Sequence, residues 1–243
     1  MLYSKIAVLS LALCSSAGAF EVQEPQSLPE AFRGAQEDVL QQIKDAKLLQ
    51  AATHGDDKAV ERLILTGAHV DAEEQGVSAL MWASGNGSTA AVRVLLQYGA
   101  CVNAGASSNS SALLRAAEAG HAEVVGILID HEADLKARDF WSETALHVAA
   151  KKSPDLDREF TQTVKVLLEK GRSKGLALNA RDSQGYTALM AAAWGGRRET
   201  VEDLLRAGAD ATPAAKTTGE RAFDLAIRKG YVDIAELIAL SAR

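Results

Sequence analysis

Thr144-Ala-Leu-His-Val-Ala-Ala150 is the stretch on which the fold turns, because its opening residues return along the chain in phase. The close copies Ser78-Ala-Leu-Met81, Ser111-Ala-Leu-Leu114 and Thr187-Ala-Leu-Met190 give spacings of 33, 33 and 43 residues, and a weaker one, Arg221-Ala-Phe-Asp224, follows 34 later. Nine residues into most copies stands a glycine, at Gly87, Gly120, Gly196 and Gly230, and counting back from Gly55 places an incomplete first copy near Ala46. Each unit then carries an apolar cluster: Leu63-Ile64, Val94-Leu95-Leu96, Ile127-Leu128-Ile129, Val166-Leu167-Leu168, Leu204-Leu205 and Leu237-Ile238. A second glycine closes most units, at Gly67, Gly99, Gly171 and Gly208. A fixed period of this length marks a stacked array rather than a single compact core.

The spacing has a physical logic. Ser or Thr at the head of a helix accepts a hydrogen bond from an unpaired backbone N–H, worth about 1 kcal/mol. The glycines supply left-handed backbone at helix ends, Ala-Ala pairs let helices approach closely, and the Leu clusters fill the layer between neighbours. No unit buries its apolar face alone, so stability comes from stacking.

These units resemble ankyrin repeats, whose T-P-L-H-x-A-A start and G-A-D-x-N end are echoed by Thr144–Ala150 and by Gly99-Ala-Cys-Val-Asn103. The resemblance covers Ala46 to Leu240. It implies an all-α solenoid of about six helix-turn-helix repeats with β-hairpin fingers, the repeats lying near 46–77, 78–110, 111–143, 144–186, 187–220 and 221–241. Ala79, Ala112, Ala145 and Ala188 replace the family's proline at little cost, since alanine is an excellent helix former. Glu132 replaces a turn glycine, which places a side chain in a left-handed site at about 1 kcal/mol. The fourth repeat carries extra residues around Ser153–Asp157 and at Arg172-Ser-Lys-Gly175, expected in surface loops.

The composition, 47% hydrophobic and 24% charged, is that of a soluble globular chain. A formal charge of −6 with no basic block lacks the electrostatic attraction that nucleic-acid binding needs. Lys5, the apolar run Ile6–Cys14 and the sequence Ala17-Gly-Ala19 form a secretory pattern, giving a signal peptide over 1–19. That run is shorter than the roughly 20 residues a membrane span takes, so no stable membrane insertion is expected after cleavage. Leu13, before Cys14, is not the small residue of lipoprotein signals. Residues 20–45 read as a leader and capping helix, with Val39, Leu40 and Ile43 forming an apolar stripe able to cover the end of the repeat domain at 46–241. Once the leader is removed, Cys101 is the single cysteine and no intramolecular disulfide can form.

The chain contains no H-E-x-x-H, G-x-S-x-G, phosphate-loop, G-x-G-x-x-G or Cys-x-x-Cys pattern, so no enzyme, catalytic residue or cofactor is expected. His131, Glu132 and Asp134 are the only local cluster of metal-capable side chains, and polar residues are ordinary in such a turn; no metal is expected. In ankyrin repeats, the histidine at the place of His147 bonds to neighbouring backbone, and histidine is common at the place of His121.

Ankyrin proteins usually hold partners on the concave face formed by fingers and first helices, so the resemblance implies protein binding there by a monomer. Phe140 and Trp141 on one finger, Tyr186 on the next, and Trp194 at the end of a first helix are the candidate contacts, aromatic rings being strong interface residues. Arg197 and Arg198 follow Trp194 closely and are taken as part of the same patch. Trp82 falls at a core position of the motif. The expected role is a non-enzymatic binding module in a periplasmic or secreted setting. The alternatives are a secreted effector or lumenal scaffold, which the sequons at Asn86 and Asn109 would suit, and a structural spacer.

Overall fold

The computed structural model describes residues 30–105, 110–151 and 157–241. Within them lie twelve α-helices. α1 covers Glu30–His54, α2 Asp57–Leu65, α3 Ala79–Gly85, α4 Thr89–Gln97, α5 Ala112–Ala119 and α6 Ala122–Asp130. α7 covers Ala145–Lys151, α8 Asp157–Gly171, α9 Ala188–Trp194, α10 Arg198–Arg206, α11 Ala222–Lys229 and α12 Val232–Ser241. The chain divides into a first unit, Met1–Leu40, of which only the opening of α1 is described, and a second, Gln41–Arg243, which holds the repeats.

In the second unit the helices pair as expected, α3 with α4 and so on to α11 with α12. The odd-numbered helices form one layer, α3 on α5 on α7 on α9 on α11, and the even-numbered helices a second. Their interface is the core. Leu80, Leu113, Leu146 and Leu189 of the first helices are at most 2% exposed, and Leu95, Leu128, Leu167 and Leu204 of the second helices are wholly buried. Ala83, Ala116, Ala149 and Ala192 are equally buried, which lets the first helices approach each other.

The caps fall where the motif places them. Ser78, Ser111 and Thr187 accept from the backbone N–H groups of Met81, Leu114 and Met190 at 3.2–3.3 Å. The turn glycines adopt positive φ, and Gly87 is needed twice over: φ is +69°, and an added Cβ would sit 2.7 Å from the His121 ring.

A second set of bonds ties repeat to repeat. The side chains of Asp45, Asp71, Asn103 and Asn179 each accept the backbone N–H of the following turn, from His69, Cys101, Asp134 and Asp210, at 2.8–2.9 Å. The series breaks at Lys136, which fills the corresponding place and has no acceptor atom. There the end of α8 and the turn that follows it reach back instead: Lys174 donates to the Ile129 carbonyl at 2.7 Å, and Lys170 pairs with Asp130. The Lys170 ammonium holds the Asp130 carboxyl below the usual carboxylate range.

Several expectations need correction. The 45/46 boundary falls inside a continuous helix, so the first repeat has no cap of its own. Of the stripe expected to act as a cover, Leu40 is 49% and Ile43 39% exposed, and the first fully buried side chain on α1 is Leu48. Gly171 is not a left-handed terminator. It continues α8 into a 3-10 turn over Arg172–Lys174, and Gly175 takes the left-handed position with φ +85°. Of the described fingers, one forms a β-ladder, pairing β1 (Glu73–Glu74) with β2 (Val77–Ser78); those at 138–144 and 181–187 are turns. The insertion at Ser153–Asp157 lies outside the described residues except for Asp157, the first residue of α8, and Asn109 lies outside them too.

Glu132 does occupy a left-handed site, with φ +64°, and Ser142 another, with φ +63°. Replacing Glu132 by glycine is expected to raise stability by about 0.5–1 kcal/mol, and replacing it by valine to lower stability by at least as much. Urea midpoints followed by circular dichroism check both signs.

Candidate functional site

Two fingers with one construction dominate the finger edge. In Arg138-Asp-Phe-Trp-Ser-Glu-Thr144, the Asp139 carboxylate accepts the N–H groups of Trp141 (2.9 Å) and Glu143 (2.8 Å), while the Asp139 N–H donates to the Glu143 carbonyl at 3.0 Å. In Arg181-Asp-Ser-Gln-Gly-Tyr-Thr187, Asp182 does the same for Gln184 (2.9 Å) and Tyr186 (2.8 Å). The fingers are also tied to each other. Ser183 N–H donates to the Trp141 carbonyl at 2.9 Å, and the Arg138 guanidinium bridges the carbonyls of Ser142 (2.7 Å) and Arg181 (2.8 Å).

Two depressions flank Trp141. One, about 550 Å³, lies between the Phe140-Trp141 tip and the first helices α5 and α7, where Arg115, Glu118 and Val148 line it. The other, about 240 Å³, is bounded by Trp141, Tyr186, Ala191 and Trp194. Both share Trp141, Glu143 and Lys151. Glu143 is almost fully buried, and its carboxylate is neutralised by the Lys151 ammonium at 2.9 Å, so the wall between the depressions carries no net charge.

Phe140 and Trp141 are 79% and 59% exposed and meet edge to face, with ring centres 6.0 Å apart. Neither folds back into the core. Trp194 is 40% exposed, and Tyr186 is half-buried against the core. The two arginines do not join them. Arg197 is 1% exposed; its guanidinium donates to the Ala149 carbonyl at 2.8 Å and to Thr161 Oγ1 at 3.1 Å and lies over the Phe160 ring. A cation at the carbonyl end of α7 is favoured by the helix dipole, and this burial removes Arg197 from any contact surface. Arg198 turns to the second-helix layer, bonding Glu202 at 3.0 Å and Asp233 at 3.1 Å.

The cations on the Trp194 ring are instead Arg228, 4.7 Å from its centre, and Lys229, at 3.8 Å. Motif alignment contained this pairing: Trp194 is the eighth residue counted from Thr187, and Arg228 the eighth from Arg221, so the two share a column of the stack. Trp82 is half-buried on the core and carries the Arg115 guanidinium 5.4 Å above its ring.

Both motif histidines serve the backbone. His121 Nε2 bonds to the Gly85 carbonyl at 3.1 Å. His147 Nε2 donates to the Tyr186 carbonyl at 3.1 Å, while Nδ1 accepts from the Thr144 N–H and hydroxyl, a set of bonds that fixes the neutral Nε2–H tautomer. Burial pushes the His147 imidazole below its ordinary range, the Tyr186 carbonyl pulling the other way. Cys101 is exposed. Among the described residues, no three His, Cys, Asp or Glu side chains converge on a metal-sized site, and no helix is long and apolar enough to cross a membrane.

Comparison with known proteins matches this architecture to a family model described as ankyrin repeats, over residues 48–139 and 137–215. The chain belongs to the ankyrin repeat family. It is 32% identical over 170 residues to the ankyrin repeat and KH domain-containing protein mask-1 of Caenorhabditis elegans, across 68% of this chain and 6% of that one. It is 31% identical over 190 residues to the palmitoyltransferase AKR1 of Lachancea kluyveri, across 76% and 25% respectively. The chain thus spans a small part of these relatives' length. The crystal structure of EF0377, an ankyrin repeat protein, matches with a TM-score of 0.68 at 29% identity, covering 79% of this chain and 96% of that one. Ankyrin repeats are protein–protein interaction modules, and the stack of helix pairs here is one such module.

Two stability predictions follow from how the ankyrin stack holds its site. Arg197→Ala is expected to cost at least about 2 kcal/mol, because it strips buried acceptors of their donor and leaves a void, whereas Arg198→Ala changes stability by about 0.5 kcal/mol or less. Urea unfolding separates the two. Because the folded pKa of His147 lies below the unfolded value of about 6.5, its contribution is intact above that pH and declines as pH falls towards the folded value, the unfolded chain binding the proton first. His147→Asn is expected to flatten the fall in urea midpoint as pH drops below about 6.5.

Proposed function

We propose that this chain is an exported, non-enzymatic binding protein that holds a protein partner against its finger and first-helix face. The observation that carries the reading is the pair Phe140 and Trp141: two large rings, 79% and 59% exposed, on a finger whose backbone is tied at both ends. Exposed apolar rings on a fixed support lose little entropy on binding, which is the condition for strong anchoring. Trp194 and Tyr186 extend the same surface across the next repeat. A spacer has no use for such rings. Export rests on the Lys5–Ala19 pattern, and the expected mature terminus is Phe20.

A photo-crosslinking residue placed at Phe140, in the protein expressed in its own host, is expected to trap a discrete partner that the same residue at Arg62 on α2 does not trap. Trp141→Ala is expected to weaken binding of that partner by about thirtyfold, corresponding to roughly 2 kcal/mol, with helicity unchanged. Identical adducts from both positions, or unchanged affinity in the variant, would remove the proposed face. Sequencing the amino terminus of the purified protein tests the export step.

A further inference from the structure

The fifth residue counted from each motif start differs in every copy: Trp82, Arg115, Val148, Ala191 and Leu225. Three members of this column line the depressions beside Trp141, Arg115 and Val148 the first and Ala191 the second. Apolar side chains elsewhere in the column are covered: Leu225 is wholly buried, Val148 is 9% exposed, and Trp82 is half-buried on the core. At Ala191 the column stops at a methyl group. The second depression, about 240 Å³, therefore lies where the other copies carry a larger side chain, and its walls are the rings of Trp141, Tyr186 and Trp194. Pockets that hold a small molecule enclose roughly 300–1,000 Å³, so this smaller space suits a single side chain.

The charges around it are compensated within the chain. Glu143 is paired with Lys151 at 2.9 Å, and the Asp182 carboxylate accepts the N–H groups of Gln184 and Tyr186. Arg228 and Lys229 stand on the Trp194 ring outside the depression, and Arg228 is paired with Glu220 at 3.1 Å. A charged group entering this space would lose hydration and meet no uncompensated charge in return. An apolar group leaves water and gains contact with three rings.

Resting on the binding role argued above, we infer that this depression is the anchor site of the binding face. It takes one large, uncharged, apolar side chain projecting from the protein partner, which fills the place in the column that Ala191 leaves open.

Panning a random twelve-residue peptide display library against the full chain tests this, with each enriched peptide re-measured by fluorescence anisotropy on wild type, Trp141→Ala, Ala191→Leu and Ala191→Ser. Ala191→Leu places in the depression the side chain that the last copy carries at Leu225, and leucine is a good helix former. Support is a consensus built on one large apolar residue, whose replacement by alanine weakens binding about tenfold or more. Ala191→Leu should weaken the same peptides about tenfold or more, while Ala191→Ser, which keeps the depression open, should change affinity less than about threefold. Raising salt from about 50 to 300 mM should also change it less than about threefold, since no net charge is engaged. Peptides that need Trp141 but bind Ala191→Leu as they bind wild type, or that depend on a charged anchor, overturn the inference and leave the binding face standing. So does a sedimentation coefficient that rises with concentration for wild type and not for Ala191→Leu, which would assign the depression to a second copy of the chain. Absence of any peptide sensitive to Trp141→Ala removes both. Should Ala191→Leu alter the circular dichroism spectrum, Ala191→Val, carrying the side chain of Val148, provides the second reading.

Discussion

Each helix pair in this chain finishes its own core only against the next pair, and every other feature depends on that contact. The buried leucines of the inner layer are sealed by a neighbouring repeat rather than by their own turn. Apolar contact alone does not fix how one repeat is rotated on the next. Directional bonds do so: Asp and Asn side chains hold the N–H of the following turn, and His121 and Arg197 reach back to carbonyls at the end of the preceding inner helix. The fingers inherit their placement from these bonds, and the rings inherit theirs from the fingers.

One junction is built differently. Between the third and fourth repeats, Lys136 replaces the acceptor, Glu132 replaces the glycine, and the lengthened α8 and its following 3-10 turn contribute lysines to the carbonyl end of α6. Cations near a helix carboxyl end are favourable, so the substitution of one tether by another keeps the stack continuous. The finger carrying Phe140 and Trp141 follows directly after this junction, so the most exposed aromatics stand where the repeat pattern is least regular.

Most of the fold was legible because its causes are local and repeated. Caps at Ser78, Ser111 and Thr187, left-handed glycines and alternating Ala and Leu each recur in phase, and each copy confirms the others. The exposed rings were legible too, since motif phase separates a finger tip from the core. What escaped was long-range pairing. Arg197 looked like a surface arginine beside Trp194, yet it stands in the same place after a turn glycine as His121, which also reaches back into the stack. The cations on Trp194 come from 34 and 35 residues further on, visible only when the copies are aligned in columns. The continuity of α1 through the first repeat, and the passage of α8 through Gly171, depend on packing that no short motif encodes.

The Asp139 and Asp182 turns close through the aspartate carboxylate and backbone groups, without the side chains at the tip, and they present Phe140-Trp141 in one case and Ser183-Gln184 in the other with the same bonds. The scaffold is therefore indifferent to the pair of side chains it displays. Recognition can drift by exchange of two residues per finger while the architecture that supports them stays untouched, which separates the evolution of specificity from that of folding.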